Sequence, residues 1–209
     1  TDTSDPECIK ASVKANTRAI FIETPSNPMM KITDIKVTVE IAKSSDALVI
    51  VDNTFLTPYF QRPLELGADI VVHSGTKYLG GHNDTLAGFV VVNDDDLSDR
   101  LKLIQKSTGA VLAPFDSWLI LRGIKTLGVR LEKQQENAMK IAEWLKSNPK
   151  VEKVYYAGLA DNEGYEISKK QSSGFGSMIS FSLKISTSSI FISDSSFISG
   201  NSSRVLIPI

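Results

Sequence analysis

Cysteine and histidine are scarce in this chain, and each scarcity excludes something. The single cysteine, Cys8, rules out an intrachain disulfide, so a reducing, cytoplasmic setting is the expectation. It falls in a predicted surface helix with nothing nearby to activate the thiol. The two histidines, His73 and His82, flank a glycine-rich stretch without matching ligands, so no metal site is expected. A basic excess is also lacking: 23 Lys and Arg face 24 Asp and Glu, for a net charge of −1. That balance argues against nucleic acid as a partner. No apolar run approaches the roughly 18 residues of a membrane span. The opening "TDTSDPECIK" has neither the charge nor the apolar core of a secretion signal. It also lacks an initiator methionine, which suggests a piece of a longer chain.

Hydrophobic residues make up 42% and charged residues 22% of the 209 residues, as in globular proteins. Residues 5–15 read as a helix begun by Asp5 and Pro6. "TRAIFIE" (17–23) is a short strand, and 33–46 has helical spacing with Thr33 or Asp34 as N-cap. "ALVIVD" (47–52) and "ADIVVHS" (68–74) are continuous apolar runs, as in parallel strands buried on both faces. "AGFVVVN" (87–93) follows too soon for a helical crossover, so it is predicted to pair antiparallel. The acidic run 93–100 reads as a solvated helix start. Residues 116–148 read as one long helix bent near Gly123 or Gly128, with Trp118 and Trp144 as packing residues. Strands are predicted in 150–159 and 175–184. The fold class is α/β, a mostly parallel sheet with helices on both faces, plus the start of a smaller C-terminal α+β lobe. From Ile185 to Ile209 nine residues are serine, and no regular period persists, so no structure is assigned there.

Three polar clusters lie just past the apolar strands: Glu23 with "TPSNP", "DNTF" (52–55) and "HSGTK" (73–77). Ligands of open α/β sheets bind outside the carboxyl ends of the strands. Alone, Lys77 would be a solvated turn lysine, Asp52 a turn cap, and Ser74 and Thr76 local turn residues. Together they suit pyridoxal phosphate chemistry. A lysine forms the Schiff base, and a carboxylate pairs with the pyridinium nitrogen. Lysine suits this because its amine can be partly neutralised by burial, which an arginine cannot match. The glycines are read as letting backbone approach the phosphate. Glu23 is read as a strand-end residue outside the set.

"DIVVHSGTKYLGGHND", with "ETPSNP" (23–28), "VDNTF...P" (51–58) and "APFDSWLILRGIKTL" (113–127), resembles the Cys/Met metabolism family of pyridoxal-phosphate enzymes. The resemblance runs from residue 1 to about 184, in the family's order. It implies the type I pyridoxal-phosphate transferase fold, with a partial cofactor domain at 1–128, the start of a C-terminal lobe at 129–184 and a divergent tail at 185–209. It implies pyridoxal 5′-phosphate as a covalent Schiff base at Lys77, Asp52 at the pyridinium nitrogen, Ser74 and Thr76 at the phosphate and Asn27 near the phenolic oxygen. Thr54 packs near the ring in the same reading. The implied activity is a carbon–sulfur lyase acting on cystathionine or a related thioether. Cystathionine γ-synthase, methionine γ-lyase and O-acyl-homoserine sulfhydrylase remain open, as does an inactive truncated fragment or pseudo-subunit. Family members form homodimers or homotetramers and run about twice this length. The upstream phosphate loop and the downstream arginine for the substrate carboxylate are therefore expected to lie outside this sequence, and a changed reading frame is one origin for the serine-rich tail.

Overall fold

The computed structural model describes residues 1–184 and 204–207. The first unit is built on helix α1 (Pro6–Ser12), strand β1 (Ala19–Glu23), helix α2 (Ile35–Lys43), strand β2 (Leu48–Asp52), the short helix α3 (Thr57–Phe60), strand β3 (Ile70–Ser74) and strand β4 (Gly88–Val91). The four strands lie in sequence order. β1, β2 and β3 run parallel, and β4 pairs antiparallel with β3, as its short connection requires. Helix starts follow the expected caps: the Asp5 carboxylate accepts from Glu7 N, and that of Asp34 accepts from Val37 N.

The sheet acquires its core by alternation. Ile22, Val49 and Val51 point to one face, where Ile35, Val39 and Ala42 of α2 cover them. The opposite face carries Phe21, 57% exposed, and Val90, 54% exposed. At the carboxyl end of that face lie Glu23 and Asp52, side by side in register.

Helix α4 (Asp95–Thr108) starts at the acidic run, capped by Asp94, and buries no residue. The long predicted helix is two: α5 (Pro114–Ile124) and α6 (Leu127–Ser147), interrupted at Lys125 and Thr126. Both tryptophans lie outside the core rather than packed in it. Trp118 is 54% exposed and stacks on Phe115, and Trp144 is 61% exposed. β5 (Val151–Tyr155), helix α7 (Tyr165–Gln171), β6 (Ile179–Leu183) and β7 (Arg204–Ile207) complete the chain. β5, β6 and β7 form a separate antiparallel sheet. Its core joins Ala138, Ala142 and Leu145 of α6 to Tyr156, Ile179 and Phe181. The serine-rich tail is thus not wholly without regular structure, since "RVLI" finds the open edge of β6. The rest of that segment lies outside the described residues.

The two units meet under the segment Gly75–Leu79, which follows β3. Tyr78 and Leu79 are buried with Met30, Leu56, Phe60, Leu127, Leu131 and Met178. Here α5 and the lysine segment touch backbone to backbone. A Cβ on Gly123 would come within 2.2 Å of the Gly80 carbonyl oxygen. An alanine in a helix is ordinarily favoured over glycine by about 1 kcal/mol. At this position overpacking, typically ~1–3 kcal/mol, should win. Gly123→Ala is therefore expected to lower the urea unfolding midpoint, and a raised midpoint would mean that the lysine segment yields without cost.

Candidate active site

The ends of three adjacent parallel strands hold the polar residues singled out in the sequence. Asp52 closes β2 and Ser74 closes β3. Thr76 and Lys77 follow in a single π turn, in which Lys77 has non-helical φ −89° and ψ −120°. Asn27 lies in the loop after β1, between two cis X-Pro bonds, Thr24–Pro25 and Asn27–Pro28.

Thr54 joins two of these ends. Its hydroxyl donates to Asp52 Oδ1 at 2.5 Å and accepts from the Ser74 N–H at 2.8 Å, and the Thr54 N–H donates to the same carboxylate oxygen at 2.9 Å. The carboxylate is therefore oriented by two donors from one residue, and that residue is tied to the next strand. On the other flank, Glu23 Oε2 accepts from the Asn27 N–H at 3.1 Å. Burial, with the neighbouring Asp52 charge adding to it, pushes the Glu23 carboxyl above its ordinary value. Glu23, which the sequence reading leaves outside the set, stands beside Asp52. The signal was present: if parallel strands end together, their last residues are neighbours.

Behind the site runs a fully buried polar bridge. Asn53 Nδ2 donates to the Gln61 carbonyl at 2.8 Å, and Gln61 Nε2 donates to Asn53 Oδ1 at 3.0 Å and to the Thr24 carbonyl at 3.3 Å. It links the exits of β1 and β2 to α3, on the side away from Asp52. No sequence motif announces it, because an Asn and a Gln in loops ordinarily read as solvated.

The structure changes the reading of the glycines and of Thr76. The Gly75 and Thr76 N–H groups both donate to the Ala87 carbonyl, at 2.8 and 3.3 Å, so neither is free for an anion. Gly75 is instead required by packing: a Cβ there would meet the Phe89 ring at 2.5 Å. The Thr76 hydroxyl accepts from the Ala87 N–H at 3.1 Å and donates to its carbonyl at 3.4 Å. That donation is long and readily exchanged for a better acceptor. Lys77 is exposed. It lines an open groove of about 560 Å³ with Thr76, Asn83, Asp84, Thr85 and Asp116. A more enclosed cavity of about 320 Å³, between Met30 and Leu159, holds none of the candidate residues.

This donor set fits pyridoxal phosphate: a primary amine in an open groove, a hydroxyl with an exchangeable bond, and a carboxylate held by two donors on the neighbouring strand. The Cys8 thiol donates to Asp5, whose carboxylate raises the thiol pKa. No group of three potential metal ligands occurs among the described residues. No helix among them is long and apolar enough to cross a membrane.

Comparison with known proteins agrees with this chemistry. The family model of the Cys/Met metabolism PLP-dependent enzymes matches residues 1–203, past residue 184 where the motif resemblance stops. A cystathionine γ-lyase of Bacillus subtilis (strain 168) is 54% identical over 182 residues, covering 87% of this chain and 48% of that protein. A cystathionine β-lyase of Lactococcus lactis subsp. cremoris is 56% identical over 182 residues, with the same coverage of 87% and 48%. The crystal structure of cystathionine γ-lyase from Lactobacillus plantarum complexed with L-serine superposes with a TM-score of 0.86 at 47% identity, covering 88% of this chain and 48% of that one. The chain thus spans about half the length of the relatives it matches.

His73 provides a test of the site's surroundings. Its ring is 7% exposed, and Nδ1 is buried without a partner among the described residues. Burial lowers its pKa below the ordinary 6.5, against the opposing pull of Asp52 and the Asn53 backbone. The unfolded chain then binds a proton that the folded ring refuses, so stability is lost as pH falls below 6.5. Over that acid range, the unfolding free energy should fall with pH more steeply in the wild type than in His73→Gln, by up to about 1.4 kcal/mol per pH unit. Parallel slopes would remove His73 from the acid sensitivity.

Proposed function

The chain belongs to the Cys/Met metabolism PLP-dependent enzymes, and from that premise we propose that it carries the lysine-bearing part of a carbon–sulfur lyase acting on cystathionine or a related thioether. One observation carries this reading: Asp52, Ser74, Thr76 and Lys77 stand at the ends of two neighbouring strands, with Thr54 hydrogen-bonded to both Asp52 and Ser74. Asp52 would hold the protonated ring nitrogen of pyridoxal phosphate, with Thr54 keeping the carboxylate turned towards it. The Ser74 and Thr76 hydroxyls would donate to the phosphate, Thr76 giving up its 3.4 Å bond to Ala87. Asn27 would orient the ring through its phenolic oxygen. Lys77 Nζ would hold the cofactor and, once released, carry a proton between substrate carbons. When bound, the cofactor supplies an electron sink for negative charge beside the substrate amine. The lyase names of the relatives at 54% and 56% identity support carbon–sulfur cleavage. The exposed Phe115–Trp118 pair supports assembly with further copies, as a homodimer or homotetramer.

A second reading is an inactive fragment: the chain spans about half the length of the relatives it matches, and takes up cofactor without turnover. One experiment separates the two. The chain is mixed with pyridoxal phosphate, reduced with borohydride and mapped by mass spectrometry, and a parallel sample receives cystathionine. The lyase reading expects the fixed cofactor on Lys77 and free thiol from cystathionine. Label without thiol selects the second reading, and no label on Lys77 sinks both. Lys77→Ala should abolish the label. Asp52→Asn should weaken cofactor binding roughly ten- to hundred-fold, the worth of one charge-assisted hydrogen bond.

A further inference from the structure

Arg130, in the first turns of α6, is far from any of the candidate cofactor ligands in sequence, yet its guanidinium is spent on the segment that carries Lys77. Nη2 donates to the Tyr78 carbonyl and to the Gly123 carbonyl, each at 2.9 Å. Nε donates to the Thr126 hydroxyl at 3.1 Å. Nη1 is buried and bonds no described protein atom, and Gly81 presses so close that a Cβ would fall 2.2 Å from it. Among the described residues no carboxylate pairs with this cation. A partly desolvated cation held only by neutral acceptors is costly, and burial indeed lowers its pKa. Here the fork holds three things: the peptide after Tyr78, the last turn of α5 and the break before α6.

Lys77 is held through its backbone, not through its side chain. Its side chain is exposed, and its own carbonyl accepts from the Gly81 N–H, at 2.8 Å, and from the Gly80 N–H. Tyr78, the next residue, is held at both ends. Arg130 takes its carbonyl, and its phenol accepts from the Ser177 hydroxyl at 2.8 Å. Nη2 takes both carbonyls while Nε takes the Thr126 hydroxyl, a pair of nitrogens in fixed geometry that a single lysine ammonium lacks.

We propose that Arg130 is a positioning residue for Lys77, acting through the Tyr78 carbonyl to aim the amine at the cofactor. This rests on Lys77 being the cofactor lysine. It does not require Arg130 to touch cofactor or substrate.

The test uses the full chain with pyridoxal phosphate, comparing wild type with Arg130→Lys, Arg130→Gly and Thr126→Val. The readouts are the borohydride-fixed fraction at Lys77 and the pH midpoint of the visible cofactor band. Circular dichroism reports folding. Arg130→Lys is expected to fix about ten-fold less cofactor at Lys77 at limiting concentration, with a displaced pH midpoint. Thr126→Val should shift the midpoint the same way by less. Guanidinium ion added to Arg130→Gly should restore fixation by re-forming the bonds to the Tyr78 and Gly123 carbonyls. A wild type labelled at Lys77, with Arg130→Lys and Thr126→Val folded and unchanged in both readouts, overturns this inference alone. A wild type that takes no label at Lys77 overturns the cofactor reading and this inference with it.

Discussion

The site depends on one hydroxyl. Where β2 and β3 end, the regular parallel ladder runs out and the two chains diverge, one into α3 and the other into the lysine segment. Thr54 holds them there, donating to Asp52 and accepting from the Ser74 N–H. A single oxygen thereby sets the distance between the carboxylate and the start of the segment that bears the amine. The Asn53–Gln61 amide pair does the corresponding work on the buried side. With both residues 1% exposed or less, either amide without the other would leave buried polar groups unpaired, which is why the pair acts as one clamp.

Beneath the amine the constraint is steric. Gly75 admits the Phe89 ring, and Gly80 and Gly123 let two backbones touch. Tyr78 and Leu79 then anchor the segment in a core shared with α6 and the lead into β6. The exposed lysine stands on buried neighbours. That core is also what makes the second unit matter to the first: Leu127, Leu131 and Met178 come from it, as does Ser177, whose hydroxyl reaches Tyr78.

Much of this was legible in the residues. Apolar runs of strand length gave the three parallel strands, and a connection too short for a crossover gave the antiparallel β4. Asp5 and Asp34 cap the helices where their spacing places them. The errors have physical causes. The long apolar-to-amphipathic stretch breaks at Lys125 and Thr126, because α5 must pack against Gly80 while α6 follows the second sheet. Trp118 and Trp144 lie outside the core, since helical spacing alone does not say which side meets a neighbour. Glycines next to a lysine suggested an anion cradle, but the same freedom serves close packing. An edge strand at Arg204–Ile207 exists because β6 offers unpaired backbone, a property of the partner strand.

By itself the sequence determined the inventory and its order: which strands form, which polar residues stand at their ends, and that one lysine follows the third strand. These are local or periodic properties, set by side-chain alternation and by the chemistry of neighbouring residues. Only the tertiary structure decided which groups touch. The neighbourhood of Glu23 and Asp52, the Thr54 link to Ser74, the Gln61 link to Thr24 and the Arg130 fork all join residues through the register of adjacent strands or the packing of distant segments. Such contacts follow from how surfaces bury one another, and no short-range pattern in the chain encodes them.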